Sequence, residues 1–156
     1  MEMNSCMVTN DLINPRLQTN YLGPYLLTEK LLPLLIASGT SKQPARIVNV
    51  ASEAHYACPT FTINEINNIA IPPEAQYVHS KFLLISSTMA LADRLKHERV
   101  VVHAVCPGMT MTEFFENFPK GQQIIFRFAG LFLGKSVEEA AANVVLGITC
   151  LGVYLT

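Results

Sequence analysis

The chain has 156 residues, of which half are hydrophobic and 15% are charged, so its composition excludes intrinsic disorder and its length suits one domain. The net charge of −1 provides no basic excess for phosphate binding, which disfavours a nucleic-acid-binding protein. The mean hydropathy is +0.29, but the most apolar stretches, 124–133 and 140–155, are shorter than the roughly 20 residues that span a bilayer. No transmembrane span is therefore predicted.

The first predicted elements are a helix and a strand. Apolar residues at three- and four-residue steps predict a mostly buried helix over residues 17–38. Pro24 and Pro33 each remove a backbone donor, so we expect this helix to be kinked. Residues 46–51 are rich in β-branched side chains and predict a strand that is buried on both faces.

The middle of the chain predicts a loop, a helix and a second strand. Residues 52–75 lack periodicity and contain three prolines, which indicates mainly loop. Helical spacing of apolar positions returns over residues 76–96. Residues 100–105 then form an apolar run that ends at Pro107 and Gly108, as expected for a second buried strand.

The last part of the chain predicts mostly helix. Residues 113–133 indicate one or two short apolar helices, and Ser136 with Glu139 forms a capping box that opens a helix reaching about Thr149. A final apolar run, 153–155, suggests another strand. Helices alternating with strands are typical of parallel α/β proteins, and the absence of repeats and linkers indicates a single domain.

The most specific chemical spacing is Tyr77 followed by Lys81 on one helix face. Tyrosine is a poor acid or base near neutral pH. A cation about 4 Å away stabilises a phenolate by about 4 kcal/mol in a sheltered cleft, against about 1 kcal/mol in water. The pair therefore suits acid/base work in a cleft, although any tyrosine one turn before a lysine satisfies the spacing.

Other polar residues lie where a ligand crevice is expected, beyond the carboxyl ends of parallel strands. Ser52 follows the first strand, Pro107 and Gly108 follow the second, and Thr112 comes just after them. Asn20 lies in the first helix, where Gly23 and Pro24 disturb the hydrogen-bond ladder. Simpler interpretations stay open: a loop cap for Ser52, a turn for Pro107 and Gly108, and a local hydrogen bond for Asn20.

Four segments, taken in order, resemble the short-chain dehydrogenase/reductase superfamily and its retinol-dehydrogenase-like branch. They are Thr19-Asn20-Tyr21-Leu22-Gly23, Ile47-Val48-Asn49-Val50-Ala51-Ser52, Tyr77-Val78-His79-Ser80-Lys81 and Cys106-Pro107-Gly108-Met109-Thr110-Met111-Thr112. The resemblance implies an α/β fold that is the C-terminal half of a Rossmann-type doubly wound parallel sheet, incomplete at the N-terminus. It implies one partial domain over residues 1–156.

The resemblance also implies roles and ligands. Tyr77 is then the general acid/base, Lys81 contacts the nicotinamide ribose, Ser52 positions the substrate oxygen, and Asn20 holds a water that feeds protons to Lys81. Pro107, Gly108 and Thr112 then meet the nicotinamide carboxamide. The implied cofactor is NAD or NADP, and the implied substrate is a small lipophilic alcohol or carbonyl compound, such as a retinoid or steroid.

One expected family feature is missing from the printed sequence. Members begin with a glycine-rich turn that binds the pyrophosphate, and none of the 8 glycines lies in such a turn. We therefore expect a fragment with poor activity alone. The alternative is an inactive truncated form that acts as a binding module, and a homo-oligomer stays open. A metal site is disfavoured, and a cytoplasmic location and association with the endoplasmic reticulum membrane both stay open.

Overall fold

A computed structural model describes residues 8–60, 62, 65–108 and 134–149. The helices are α1 (Pro15–Leu17), a π-helical turn (Gln18–Leu22), α2 (Gly23–Ser38), a 3-10 helix (Glu53–Ala57), α3 (Pro73–Arg94) and α4 (Val137–Thr149), and the strands are β1 (Ala45–Val50) and β2 (Val100–Val105). Within the described ranges, no helix has the length and apolarity that crossing a membrane requires.

The two strands lie side by side and run parallel, which confirms the predicted α/β class. Ala45 pairs with Val100 at one end, and Val50 pairs with Val105 at the other, so both strands end at the same edge. Residues that follow the two strands therefore come together at that edge. Ser52 and Pro107 therefore both lie just beyond the carboxyl ends of the two strands.

The helices cover the two faces of this sheet. Ile47 packs in an apolar cluster with Leu91 and Leu95, and Leu35 of α2 packs against the same cluster. Neighbouring β1 residues point to the opposite face. There, Gly147 of α4 lies so close to the strands that an added Cβ would overlap Val105 Cγ2. The described chain therefore forms a helix–sheet–helix sandwich.

The prediction of a mostly buried helix over 17–38 is wrong in part. None of the residues of α2 is buried, and Leu26, Leu27 and Leu34 are 58–68% exposed. Leu32, Leu35 and Ile36 make one stripe that packs on the core. Leucines around the remaining circumference have no cover in the described chain, because a periodic pattern does not say whether a second surface exists to receive the other face.

The predicted disturbance of this helix takes the form of the π-helical turn Gln18–Leu22. In an α-helix the carbonyl of Asn20 would accept from residue 24, but Pro24 has no N–H. Gly23 donates its N–H to Gln18 O, and a Cβ at Gly23 would lie 3.1 Å from that oxygen. Proline and glycine together therefore favour the wider turn.

The strand predictions hold for position but not fully for burial. β1 and β2 match the predicted runs within one residue. Of β1, only Ile47 is buried, and Val50 is 44% exposed, so burial on both faces was wrong for β1. The reason is that β1 has one strand neighbour in the described part of the chain, so its outer edge is uncovered there.

The later helices follow the sequence closely. α3 begins at Pro73, three residues before its predicted start, because proline is well tolerated in the first helical turn. The predicted capping box opens α4: Glu139 N donates to Ser136 Oγ at 3.1 Å, and Ser136 N donates to Glu139 Oε2 at 2.8 Å. The predicted helices in 113–133 and the strand over 153–155 lie outside the described residues.

Candidate active site

The first turns of α3 bring Tyr77 and Lys81 beside the carboxyl end of β1. Lys81 Nζ lies 5.8 Å from the centre of the Tyr77 ring. The same ammonium donates a 2.9 Å hydrogen bond to the carbonyl oxygen of Val50, the last residue of β1. The helical spacing aligns the two side chains, and the strand end fixes the lysine head group.

Burial makes Lys81 an unusual lysine. Its side chain is half-buried, and this desolvation lowers the pKa of Lys81, while the negative charge of a Cys106 thiolate opposes the shift. Cys106 follows β2, and burial, followed by the Glu53 carboxylate, raises the pKa of Cys106. Lys81, Cys106 and Glu53 therefore interact electrostatically at the edge where both strands end.

Ser52 lies at this edge and begins the 3-10 helix. Its hydroxyl accepts the N–H of Ala54 at 3.2 Å, which makes it the N-cap of that helix. The Ser52 carbonyl oxygen is 2.6 Å from His55 Nδ1. The loop-capping alternative for Ser52 is therefore observed, and it leaves the hydroxyl proton available for donation because the cap uses the oxygen only as an acceptor.

Asn20 makes a long-range contact rather than a local one. Its side-chain Nδ2 donates to Ser80 Oγ at 3.0 Å, across 60 positions of sequence. Ser80 Oγ in turn donates to the backbone carbonyl of Tyr77 at 2.8 Å. The π-helical turn is thereby joined to the turn of α3 that carries Tyr77 and Lys81.

Pro107 and Gly108 directly follow β2, and their interpretation as a turn stays a prediction. Gly108 has φ of +84°, a conformation that disfavours any residue with a Cβ. Pro107 O accepts a 3.4 Å hydrogen bond from Asn143 Nδ2, which ties this segment to α4. Thr112, the remaining predicted site residue, lies outside the described residues.

Sequence reasoning gave no role to Ser80, Cys106 or His55. Ser80 is fully buried, and its contact with Asn20 joins residues far apart in the chain, so no local pattern predicts it. His55 follows Ser52 by three residues, a spacing that suits a contact within one turn. Cys106 directly precedes the predicted Pro107–Gly108 turn. Its position directly after a predicted strand is the signal that could have placed it in the candidate site.

A family model described as short chain dehydrogenase matches residues 2–123. The chain belongs to the short-chain dehydrogenase family. The resemblance of its four segments to this family is thereby confirmed.

Two groups of similar proteins are informative. Human polyprenol dehydrogenase is 30% identical over 85% of this chain, and the mouse protein of the same name is 32% identical over 88%. Mouse retinol dehydrogenase 13 is 36% identical over 67% of the chain. The match covers only 41%, 42% and 30% of these three relatives, respectively, so this chain spans less than half of their length.

Solved structures agree on the fold. The Pseudomonas aeruginosa RhlG/NADP active-site complex superposes with a TM-score of 0.58 at 26% identity, over 84% of this chain and 50% of that one. The carbonyl reductase Sniffer of D. melanogaster gives a TM-score of 0.60 at 21% identity, over 97% and 54%. The parallel sheet with flanking helices is therefore part of a Rossmann-like α/β fold.

Proposed function

We propose that the chain carries the catalytic residues of an NAD(P)-dependent oxidoreductase that transfers a hydride between a nicotinamide cofactor and a lipophilic alcohol or carbonyl compound. The observation that carries the proposal is the Tyr77–Lys81 pair, with the ammonium 5.8 Å from the phenol ring at the edge where both strands end. Family membership supports the reaction class.

Tyr77 is the proposed general acid and base. Its phenol gives a proton to the substrate oxygen in reduction and takes it back in oxidation. The half-buried ammonium of Lys81 lies 5.8 Å from the centre of the Tyr77 ring, and the hydroxyl of Ser52 is available to donate to the same substrate oxygen.

The residues present fit the nicotinamide–ribose end of the cofactor. Lys81 has three N–H donors, of which one contacts Val50 O, so two are available for ribose hydroxyls. Gly108 offers a backbone without a side chain at the neighbouring strand end. The bound cofactor supplies the hydride, and the proposed task of Tyr77, Lys81 and Gly108 is to place it. RhlG, which supports this assignment, is described as an NADP complex.

A lipophilic substrate is proposed from two observations. Relatives at 30–36% identity are named polyprenol dehydrogenase and retinol dehydrogenase 13. The sequence from 114 to 133 contains six phenylalanines, which suit an apolar substrate wall. Such substrates dissolve in membranes, so association with the endoplasmic reticulum membrane is the proposed location rather than a purely cytoplasmic one.

The alternative function is a binding module without catalysis, which includes self-association as a homo-oligomer. The exposed leucines of α2, Leu26, Leu27 and Leu34, favour it because apolar surface of this extent suits a protein contact. The single partial domain over residues 1–156 stays a prediction. Cofactor binding by the chain separates the two functions.

The test uses two tyrosine variants of the chain. Tyr77→Phe removes the proposed proton donor, whereas Tyr56→Phe removes the hydroxyl of a tyrosine that is 75% exposed. We expect NADH- or NADPH-dependent reduction of a long-chain aldehyde to fall by about 10²–10⁴-fold in Tyr77→Phe and to be unchanged in Tyr56→Phe. Equal activity of both variants, or no binding of either dinucleotide in a fluorescence titration, would contradict catalysis and favour the binding module.

A further inference from the structure

Two buried hydroxyls on α3 make the same unusual pair of hydrogen bonds. Ser80 Oγ donates to Tyr77 O at 2.8 Å and accepts from Asn20 Nδ2 at 3.0 Å. Thr88 Oγ1 donates to Leu84 O at 2.6 Å and accepts from Asn49 Nδ2 at 2.8 Å. A hydroxyl has one proton. Because that proton is donated to the helix carbonyl, the oxygen can only accept a hydrogen bond from the asparagine amide.

The two contacts differ in what they connect. Thr88 joins the middle of α3 to β1 through Asn49, next to the apolar cluster of Ile47 and Leu91. Ser80 joins the beginning of α3 to the π-helical turn through Asn20. The Ser80 contact lies directly between Tyr77 and Lys81 in the chain, and the Thr88 contact is two turns further along the helix.

We infer that Ser80 is a positioning residue for the proposed active site, which holds the Tyr77–Lys81 turn of α3 at a fixed place relative to Asn20. This inference rests on the proposed function for its effect on turnover. Its structural part stands independently: a fully buried hydroxyl links the carbonyl of Tyr77 to an amide of another element.

The expected consequence of losing this hydroxyl follows from its burial. Without Ser80 Oγ, the amide of Asn20 loses its partner, and the first turns of α3 lose their hydrogen bond to the π-helical turn. Water then gains access to the ammonium of Lys81, whose pKa is lowered by burial when Ser80 is present. Tyr77 and Lys81 move relative to the strand ends, and geometry-dependent steps slow more than ligand binding.

The experiment compares Ser80→Ala with Thr88→Val. Each variant removes one amide–hydroxyl contact of α3, but Thr88→Val removes the one outside the site. Ser80→Thr, which keeps the hydroxyl, is the rescue variant. The ε-amines of one sample are ¹³C-dimethylated, the Lys81 signal is assigned by its loss in Lys81→Arg, and the pKa of Lys81 is followed by NMR. Thermal unfolding and turnover of NADPH with a long-chain aldehyde are measured on the unmodified protein.

We expect both Ser80→Ala and Thr88→Val to lower Tm by a few degrees. Only Ser80→Ala should raise the pKa of Lys81 toward that of an exposed lysine. Only Ser80→Ala should lower kcat, by about 10-fold, with KM for NADPH within about twofold of the starting value. Ser80→Thr should restore both properties.

A Lys81 titration that is unchanged in Ser80→Ala, or that moves equally in Thr88→Val, overturns the inference. If Ser80→Ala fails to fold, Asn20→Ala removes the same contact from the other side and must give the same Lys81 shift. In a folded Ser80→Ala background, adding Asn20→Ala should produce no further shift, and additive shifts count against a direct link. A chain without turnover that still shows the Lys81 shift refutes the proposed activity and supports the positioning role.

Discussion

The two ends of α3 use the same backbone geometry for different purposes. Toward its C-terminus, Leu91 is buried in an apolar cluster with Ile47 of β1. Toward its N-terminus, Tyr77 and Lys81 are half-buried and polar and lie beside the open end of that strand. The apolar cluster therefore distinguishes the end that supplies stability from the end that carries the proposed active site.

The largest effect on stability is expected at the core end. Leu91→Ala removes a side chain that is 5% exposed and leaves a cavity, so the free energy of unfolding should fall by about 2–5 kcal/mol in urea titrations. Leu34→Ala is the matched control, because Leu34 is 68% exposed, and its effect should stay within about 0.5 kcal/mol. Equal losses in both variants would show that the cluster does not carry the stability of this helix.

A smaller, pH-dependent effect is expected at the site end. Burial lowers the pKa of Lys81 in the folded chain, so between that pKa and the unfolded value near 10.4 the unfolded chain binds more protons. The free energy of unfolding of the protein that retains Lys81 should therefore rise with pH across this window, relative to that of Lys81→Met. The slope of this difference should be at most about 1.4 kcal/mol per pH unit.

The control for this titration concerns Cys106. Burial raises the pKa of Cys106, so ionisation of the thiol gives the opposite slope as pH rises through its folded pKa. Both proteins are therefore compared in a Cys106→Ala background by urea unfolding at several pH values. Parallel stability curves with and without Lys81 would contradict the burial effect on its ammonium.

The smallest effect is expected at the exposed surface of the core end. Arg94 Nη2 donates to Glu29 Oε1 at 2.6 Å, but these side chains are 47% and 31% exposed. A double-mutant cycle with Arg94→Ala and Glu29→Ala should give a coupling of about 0.2–1 kcal/mol that weakens in salt. A coupling above about 2 kcal/mol would place part of the stability of α3 in this ion pair.

Predictions from sequence succeeded where a signal is local. Three predictions depend only on residues that are close together in the sequence. They are the capping box of Ser136 and Glu139, the strand at 100–105 and the spacing of Tyr77 and Lys81. Burial of the 17–38 helix was predicted poorly, because its leucines show apolarity but not which surface covers them. The link between Asn20 and Ser80 spans 60 positions and has no local signature.

The sequence by itself determined the order of helices and strands, the parallel α/β class and the face that carries Tyr77 and Lys81, because backbone propensity and side-chain period act over a few residues. The tertiary structure alone decided that Lys81 contacts the end of β1, that Ser80 accepts from Asn20, and that α2 exposes its leucines. These outcomes depend on which distant elements meet and exclude water, and that information is not contained in any short segment.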